Sequence, residues 1–290
     1  MRYHAMAVVK RSAARRSRAA RARERRDDDA AREAASFAGP HLALVRAPLR
    51  PRPTPAFHGN ITVATYNVHR WTGLNGRSRP DPARAAFVIS EIDADLIALQ
   101  EVLRPLRGAD PLEALADALG LHVAFATTRV HKRGQIGNAI LSRWPINSVS
   151  MLDLSYGRLE KRVAVAAQFK NGEAEFDVVA THLALGDRTR RRQVASLLEH
   201  PRLRDKPTLL MGDMNAWRQC RATRALDALR SHSNREWPAS FPSASPVLAL
   251  DRIYARGVHI IEISVHASRA ARRASDHLPV VARVKLPSRD

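Results

Sequence analysis

Four strand-like segments of this chain end in the same way: an apolar run gives out on a polar side chain. NITVATYNVH (60–69) delivers Asn67, DLIALQEV (95–102) delivers Glu101, FDVVATHL (176–183) delivers His182, and PTLLMGDMN (207–215) delivers Asp213 and Asn215. Short apolar runs rich in β-branched residues read as strands buried in a sheet. Asp251 and the pair Asp276–His277 instead stand at the start of the strand-like runs LDRIYAR and LPVVARVKL. If those late strands run antiparallel to the earlier ones, all eight groups arrive at one edge of the sheets. A lone Asp or Asn at a strand end is ordinary turn chemistry. Eight converging on one edge describe a site.

Helix signals lie between the strands. PARAAFVISEIDA (82–94) spaces Ala85, Val88, Ile89 and Ile92 on one face, PLEALADALG (111–120) stops at Gly120, and DRTRRRQVASLLEH and CRATRALDALR read as helices flanking PTLLMGDMN. HVAFATT, NAILSRWPI, RVAVAAQFK and HIIEISVH supply further strands. Adjacent strands without an intervening helix must pair antiparallel, so the fold class is α/β (α+β), two packed mixed sheets with helices outside.

The ends of the chain differ from its middle. Residues 1–36 are rich in Ala and Arg and carry six of the twenty surplus positive charges, and PLRPRPTP (48–55) reads as an extended linker. The expected division is therefore a basic extension and linker over 1–59 and a catalytic domain over 60–290. No apolar stretch near the start has the length of a secretory or membrane segment, and Cys220 stands alone, so a reducing, cytoplasmic setting and a monomer are expected. The charge surplus favours polyanionic partners, nucleic acid ahead of an anionic membrane surface.

TYNVH, LQE, GNAILSR, THLAL, GDMN, LDRIY and SDHLPV, in this order over about residues 60–286, resemble the endonuclease/exonuclease/phosphatase superfamily. SFPSASPVLALDRIYARG is further similar to small bacterial members of uncertain substrate. The resemblance implies a four-layer α/β/β/α sandwich of the DNase-I-like type and a hydrolase of phosphate esters. It implies Mg²⁺, with Mn²⁺ as the alternative, held by Glu101 with Asn67 beside it; Asp276 could bind metal as well or lock its loop. It implies Asp213 as the group that orients or deprotonates water, Asn215 as a donor to the phosphoryl oxygen, His277 as the acid/base group oriented by Asp251, and His182 as a second phosphate-contacting histidine. Arg162 in EKRVAV is a further phosphate-clamp candidate. Such chemistry needs charge neutralised on non-bridging oxygens, an activated water and help for the leaving oxygen.

Substrate choice is less constrained. Trp71 and Trp217 follow site-bearing strands and could form a rim, and Arg188, Arg190, Arg191 and Arg192 could track phosphates after THLALGD. YNVHRW lacks the glycine-rich continuation of abasic-site nucleases, which argues against abasic-site specificity. The favoured expectation is a phosphodiesterase or nuclease; a phospholipid-headgroup or small-molecule phosphoesterase and a non-catalytic anion-binding module are the alternatives.

Overall fold

The alternating patterns of the strands are realised in a computed structural model that describes residues 39–286 apart from 55, 56, 58, 157–159, 173, 205, 228 and 230–235. The basic segment 1–36 lies outside the described residues. The elements in chain order are β1 (His41–Arg46), β2 (Gly59–Asn67), α1 (Pro82–Ile92), β3 (Leu96–Arg104), α2 (Pro111–Leu119), β4 (His122–His131), β5 (Gly134–Ser142), β6 (Ser148–Asp153), β7 (Val163–Asn171), β8 (Ala174–His182), α3 (Asp187–Glu199), β9 (Thr208–Asp213), α4 (Arg221–Asp227), β10 (Asp251–Arg256), β11 (His259–Val265), α5 (Ala271–Ala274) and β12 (Val280–Leu286).

The strands form a seven-stranded sheet, β1-β4-β5-β3-β2-β12-β11, and a five-stranded sheet, β10-β9-β8-β7-β6. Each is mixed, because β2–β3 and β8–β9 pair in parallel while the other neighbours are antiparallel. Inward side chains of both sheets, among them Val63, Leu96, Val165, Val178, Met211, Ile253 and Ala282, make one apolar layer between them. The outer face of the first sheet packs on Val88 and Ile89 of α1 and Leu112 and Leu115 of α2, and that of the second on Val194 and Leu197 of α3 and Leu226 of α4. The result is the α/β/β/α sandwich. α1 and α2 start on Asp81 and Asp110, whose carboxylates accept the backbone N–H two residues on, each followed by Pro at the first helical position.

The first described strand, β1, starts at His41, well ahead of the expected start near Asn60. β1 pairs with β4, and Arg46 forms ion pairs with Glu113 and Asp117 of α2. The proline-rich stretch is likewise tied down, with Leu49 N–H donating to Asp117 and Arg52 N–H to Gly120 O. Phe57 enters the inter-sheet layer against Trp144 and Phe176, at ring separations of 5.9 and 5.2 Å. Prolines that block a helix or ladder do not prevent an edge strand on one side and hydrogen-bonded coil on the other.

Candidate active site

The site grows out of the inter-sheet core by continuation of its alternation. Along β9 the inward positions are Leu209, Met211 and then Asp213; along β8 they are Phe176, Val178, Ala180 and then His182; along β2 they are Ile61, Val63, Thr65 and then Asn67. β10 runs antiparallel to β9 with Asp251 opposite Asp213, so its first inward residue lands at the same end. β12 likewise runs antiparallel to β2, which brings the preceding Asp276–His277 to that end.

Glu101 arrives by a different device. Between the pairs Leu99–Ala139 and Val102–Gly137 the β3 ladder slips, leaving Gln100 and Glu101 opposite Asn138, and Glu101 adopts a φ of +52°. The bulge re-aims a side chain that simple alternation would send to the helix side. Left-handed backbone at a non-glycine residue costs on the order of 1–3 kcal/mol and persists where the surroundings enforce it. Asn215 (φ +48°) and the consecutive His69, Arg70 and Trp71 (+45°, +56°, +62°) carry the same strain around the same edge. At Gly212 the backbone sits at φ +150°, where a Cβ would run into Thr181 O of the neighbouring strand β8, so only glycine fits.

Asp213 is the hub. Its Oδ1 accepts from the Asn215 backbone N–H (2.9 Å) and its Oδ2 from Asn67 Nδ2 (3.1 Å), a bond that crosses from one sheet to the other. The same Oδ2 lies 3.4 Å from His182 Nε2 and 3.7 Å from His277 Nε2. Asn215 Nδ2 donates to Leu183 O (2.9 Å) and reaches His182 Nε2 (3.0 Å). His277 Nδ1 donates to Asp251 Oδ2 (2.7 Å), which also accepts from Ser240 Oγ (2.6 Å), while the buried Asp251 Oδ1 has no hydrogen-bond partner. Phe241 packs on the His277 ring at 4.9 Å. Ser240 and Phe241 carry no strand signal; only their place at the head of SFPSASPVLALDRIYARG hints at them.

The two histidines sit in opposite electrostatic states. Burial, reinforced by the Arg162 guanidinium, pushes His182 down to about 3, so it is neutral at any physiological pH. Burial opposes charge on His277 as well, yet Asp251 and Asp213 together outweigh it and lift the pKa to about 10. His277 is therefore an imidazolium at neutral pH, with its Nε2–H turned toward Asp213.

A cleft of about 350 Å³ opens over this edge, lined by Asn67, Glu101, Arg162, His182, Asp213, Asn215 and His277 and also by apolar side chains including Leu185, Trp217 and Leu250. Arg162 is deeply placed, its Nε is unpaired, and burial lowers its pKa despite the attraction of Glu160, Glu101 and Asp213. Asp276 is not in the lining: its carboxylate lies 3.1 Å from His69 Nδ1 and accepts from Ser275 Oγ at 3.3 Å, and burial raises its pKa.

One expectation about the rim is corrected. Trp71 is buried in the core between the first sheet and its helices, its indole N–H bonded to Leu103 O (2.8 Å), so only Trp217, at 64% exposure, borders the cleft. Of the four arginines of α3, only Arg190 is buried, while Arg188, Arg191 and Arg192 are exposed. Arg191 lies 3.6 Å from Asp187, and the Arg192 guanidinium stacks over the Tyr156 ring.

Two donor sets could hold a cation. Asp213, Asp251 and His277 form a buried group whose ligand atoms lie within 4.8 Å of one another. His277 in that group is cationic and spends Nδ1 on Asp251, which suits proton handling better than metal ligation. Glu101 fits a hard cation better. It is a part-exposed carboxylate on the cleft wall, 3.3 Å from Arg70 Nε, with Asn67 Oδ1 lining the same cleft and keeping acceptor capacity beyond the His69 N–H it already accepts.

Residues 64–277 match the model of the endonuclease/exonuclease/phosphatase family. The chain belongs to the endonuclease/exonuclease/phosphatase family. It is 31% identical over 248 residues to the uncharacterized protein YbhP of Escherichia coli strain K12, covering 78% of this chain and 97% of that one. Among solved structures, the endonuclease/exonuclease/phosphatase of Beutenbergia cavernae superposes with a TM-score of 0.63 at 22% identity, over 79% of this chain and 72% of that chain. The human Nocturnin catalytic domain with bound sulfate gives 0.62 at 19% over 85% and 97%, and a mannosyl-6-phosphatase of Bacteroides thetaiotaomicron gives 0.58 at 20% over 77% and 99%. Endonuclease/exonuclease/phosphatase proteins hydrolyse phosphoester bonds and are in general divalent-metal-dependent. Among the described residues no helix is long and apolar enough to cross a membrane.

Proposed function

We propose that this chain is a Mg²⁺-dependent phosphodiesterase, with Mn²⁺ as the alternative metal. The observation that carries the reading is the hub at Asp213, a fixed carboxylate between one neutral and one cationic histidine. Asp213, both oxygens oriented by donors from Asn215 and Asn67, positions and deprotonates the attacking water. His277, held by Asp251 and Ser240, presents a proton at Nε2 to the phosphoryl group as charge builds. Asn215 Nδ2 and neutral His182 offer further polar contacts, and the Arg162 guanidinium balances negative charge from the cleft wall. A divalent cation held by Glu101 and Asn67 would supply charge withdrawal from a non-bridging oxygen.

The charge of the body, fourteen of the twenty surplus positives once residues 1–36 are set aside, supports nucleic acid as substrate. A second reading is favoured by the mouth of the cleft. Leu185 and Trp217 of its lining are 56% and 64% exposed, and Val247, 70% exposed, precedes Leu248 of the same lining. That mouth suits a phosphodiester with an apolar neighbour, as in a phospholipid headgroup. The test is a divalent-metal screen of the purified protein on bis(p-nitrophenyl) phosphate, DNA, RNA, phospholipid vesicles and phosphomonoesters. Metal-dependent turnover of diesters is expected; activity confined to monoesters, or equal activity in chelator, would overturn the reading.

A further inference from the structure

The inner face of α3 is spaced as a core helix, with Arg190, Gln193, Val194 and Leu197 buried at intervals of three, one and three. Such a stripe is normally apolar, and a buried guanidinium is costly unless its hydrogens are used. Here the Nη hydrogens are used on the active-site loops and on Asp187, while the buried Nε has no partner. Arg190 Nη1 lies 2.7 Å from Asn215 O, 3.0 Å from Ala184 O and 3.0 Å from Leu185 O, and Nη2 reaches Asp187 at 3.3 Å. Gln193, one turn on, accepts the Ala184 N–H at 2.8 Å and donates to Leu154 O at 2.8 Å. One guanidinium thus joins the loop that follows His182 to the loop that contains Asn215.

We infer that Arg190 is a positioning residue for phosphoester hydrolysis. It holds the peptide of Asn215 in its left-handed conformation and fixes the segment after His182, so that the Asn215 amide and the His182 ring meet the phosphoryl group at a set separation. Stability alone does not account for it, because a buried charge replaced by an apolar side chain of similar volume is often neutral or stabilising. Asn215 at φ +48° would relax toward ordinary backbone if its carbonyl were released, swinging Nδ2 away from Leu183 O and His182. Arg190 also borders a second pocket of about 760 Å³ that adjoins the cleft and shares Leu185, Asn215 and Trp217 with it, so a small cation can reach the space the side chain would leave.

This inference rests on the phosphodiesterase reading, and its test separates the two. Wild-type protein is assayed with metal on bis(p-nitrophenyl) phosphate beside Arg190→Ala, Arg190→Lys and Leu197→Ala, all well below their Tm. Leu197→Ala, on the same helix face but away from the loops, should lower Tm at least as much as Arg190→Ala while keeping kcat within about twofold. Arg190→Ala should lower kcat by about 10- to 100-fold with KM changed much less. Millimolar guanidinium should restore part of that loss, and Arg190→Lys should restore less than the added guanidinium does. In parallel, the side-chain amide resonance of Asn215 is followed by NMR, which needs no turnover. It should hold a distinct position in wild type and Leu197→Ala and collapse toward the solvent-averaged position in Arg190→Ala. If wild type hydrolyses no diester, the functional reading fails while the resonance still reports on Arg190. An unchanged Asn215 resonance, or a kcat for Arg190→Ala that matches Leu197→Ala, would overturn the positioning role.

Discussion

The two ends of the inter-sheet layer are built from the same strand positions and behave as opposites. At the end where β2, β3 and β8 begin, Phe57, Trp144, Phe169 and Phe176 pack ring on ring at separations of 5.1 to 6.4 Å. At the other end the same inward rows present Asn67, His182, Asp213 and Asp251, with almost no exposed surface among them. The aromatic end gains from burial itself, about 1.5–3 kcal/mol for each large apolar side chain. The polar end would lose heavily from the same burial if its members did not satisfy one another. One end sets the spacing of the sheets; the other uses that spacing to hold charges close together.

The sharpest division between the ends is at His277. Its replacement by Ala should lower kcat by about 10² to 10⁴ with little change in KM, and Asp251→Asn should reproduce most of the loss. The double variant should be little worse than His277→Ala, since an orienter has nothing to act on once the imidazole is gone. Fully multiplicative losses in steady-state kinetics would instead give Asp251 an independent task, such as ligating metal through its unpaired Oδ1. Next comes Glu101→Gln, which should remove several kcal/mol of metal-dependent transition-state stabilisation, with partial recovery at high metal concentration. Metal titration of the rate checks it; a wild-type metal requirement would move the cation to the Asp213–Asp251–His277 group.

At the aromatic end Phe176→Ala should cost about 3–5 kcal/mol in denaturant unfolding while sparing kcat in the folded fraction. Should kcat fall with stability, the ends are coupled and sheet spacing enters the chemistry directly. A smaller effect tests the charge states. The folded chain keeps His182 neutral down to about pH 3, whereas the unfolded histidine takes up a proton near 6.5, so stability should fall as pH drops from about 6.5 toward 3. His277 keeps in the fold, up to about pH 10, a proton the unfolded chain releases near 6.5. Its contribution is complete below about 6.5 and is lost as pH rises through 10. Tm against pH should show both limbs, and His277→Ala should flatten the alkaline one. The smallest expected change is on deleting residues 1–38: diester turnover within about twofold of wild type, and weaker, less salt-dependent binding to long polyanions. Deletion to residue 56 should differ sharply, because it removes β1.

Most of this contrast was legible before any coordinates, because alternation over six to nine residues announces both a strand and the side on which its last residue falls. The convergence on one edge needs β10 and β12 to return antiparallel, and they do: Asp251 stands opposite Asp213, and β12 pairs antiparallel with β2. The elements that escaped are edge strands. HLALVR is short, exposes Leu42 and Val45, and is followed by prolines; SVSMLD in β6 is only half buried along its length. Neither needs strong patterning, having one strand neighbour each. Arg190 is hidden differently, inside a run of arginines whose shared charge masks the helical spacing. The bulge at Glu101 leaves no mark in LQEV, because a left-handed glutamate is imposed by its neighbours.

Gly212 has a consequence for how this site can vary. With Thr181 O where the missing carbon would stand, the bare backbone at 212 is a gauge for how β9 can sit beside β8, and the next pair along, His182 and Asp213, lies 3.4 Å apart. Descendants of this sequence are free to exchange the loops of the mouth, and with them the clientele, without touching the gauge. A methyl group at position 212 would instead wedge the two parallel strands apart at the level of the chemistry, and no remodelling of the loops above could close them again.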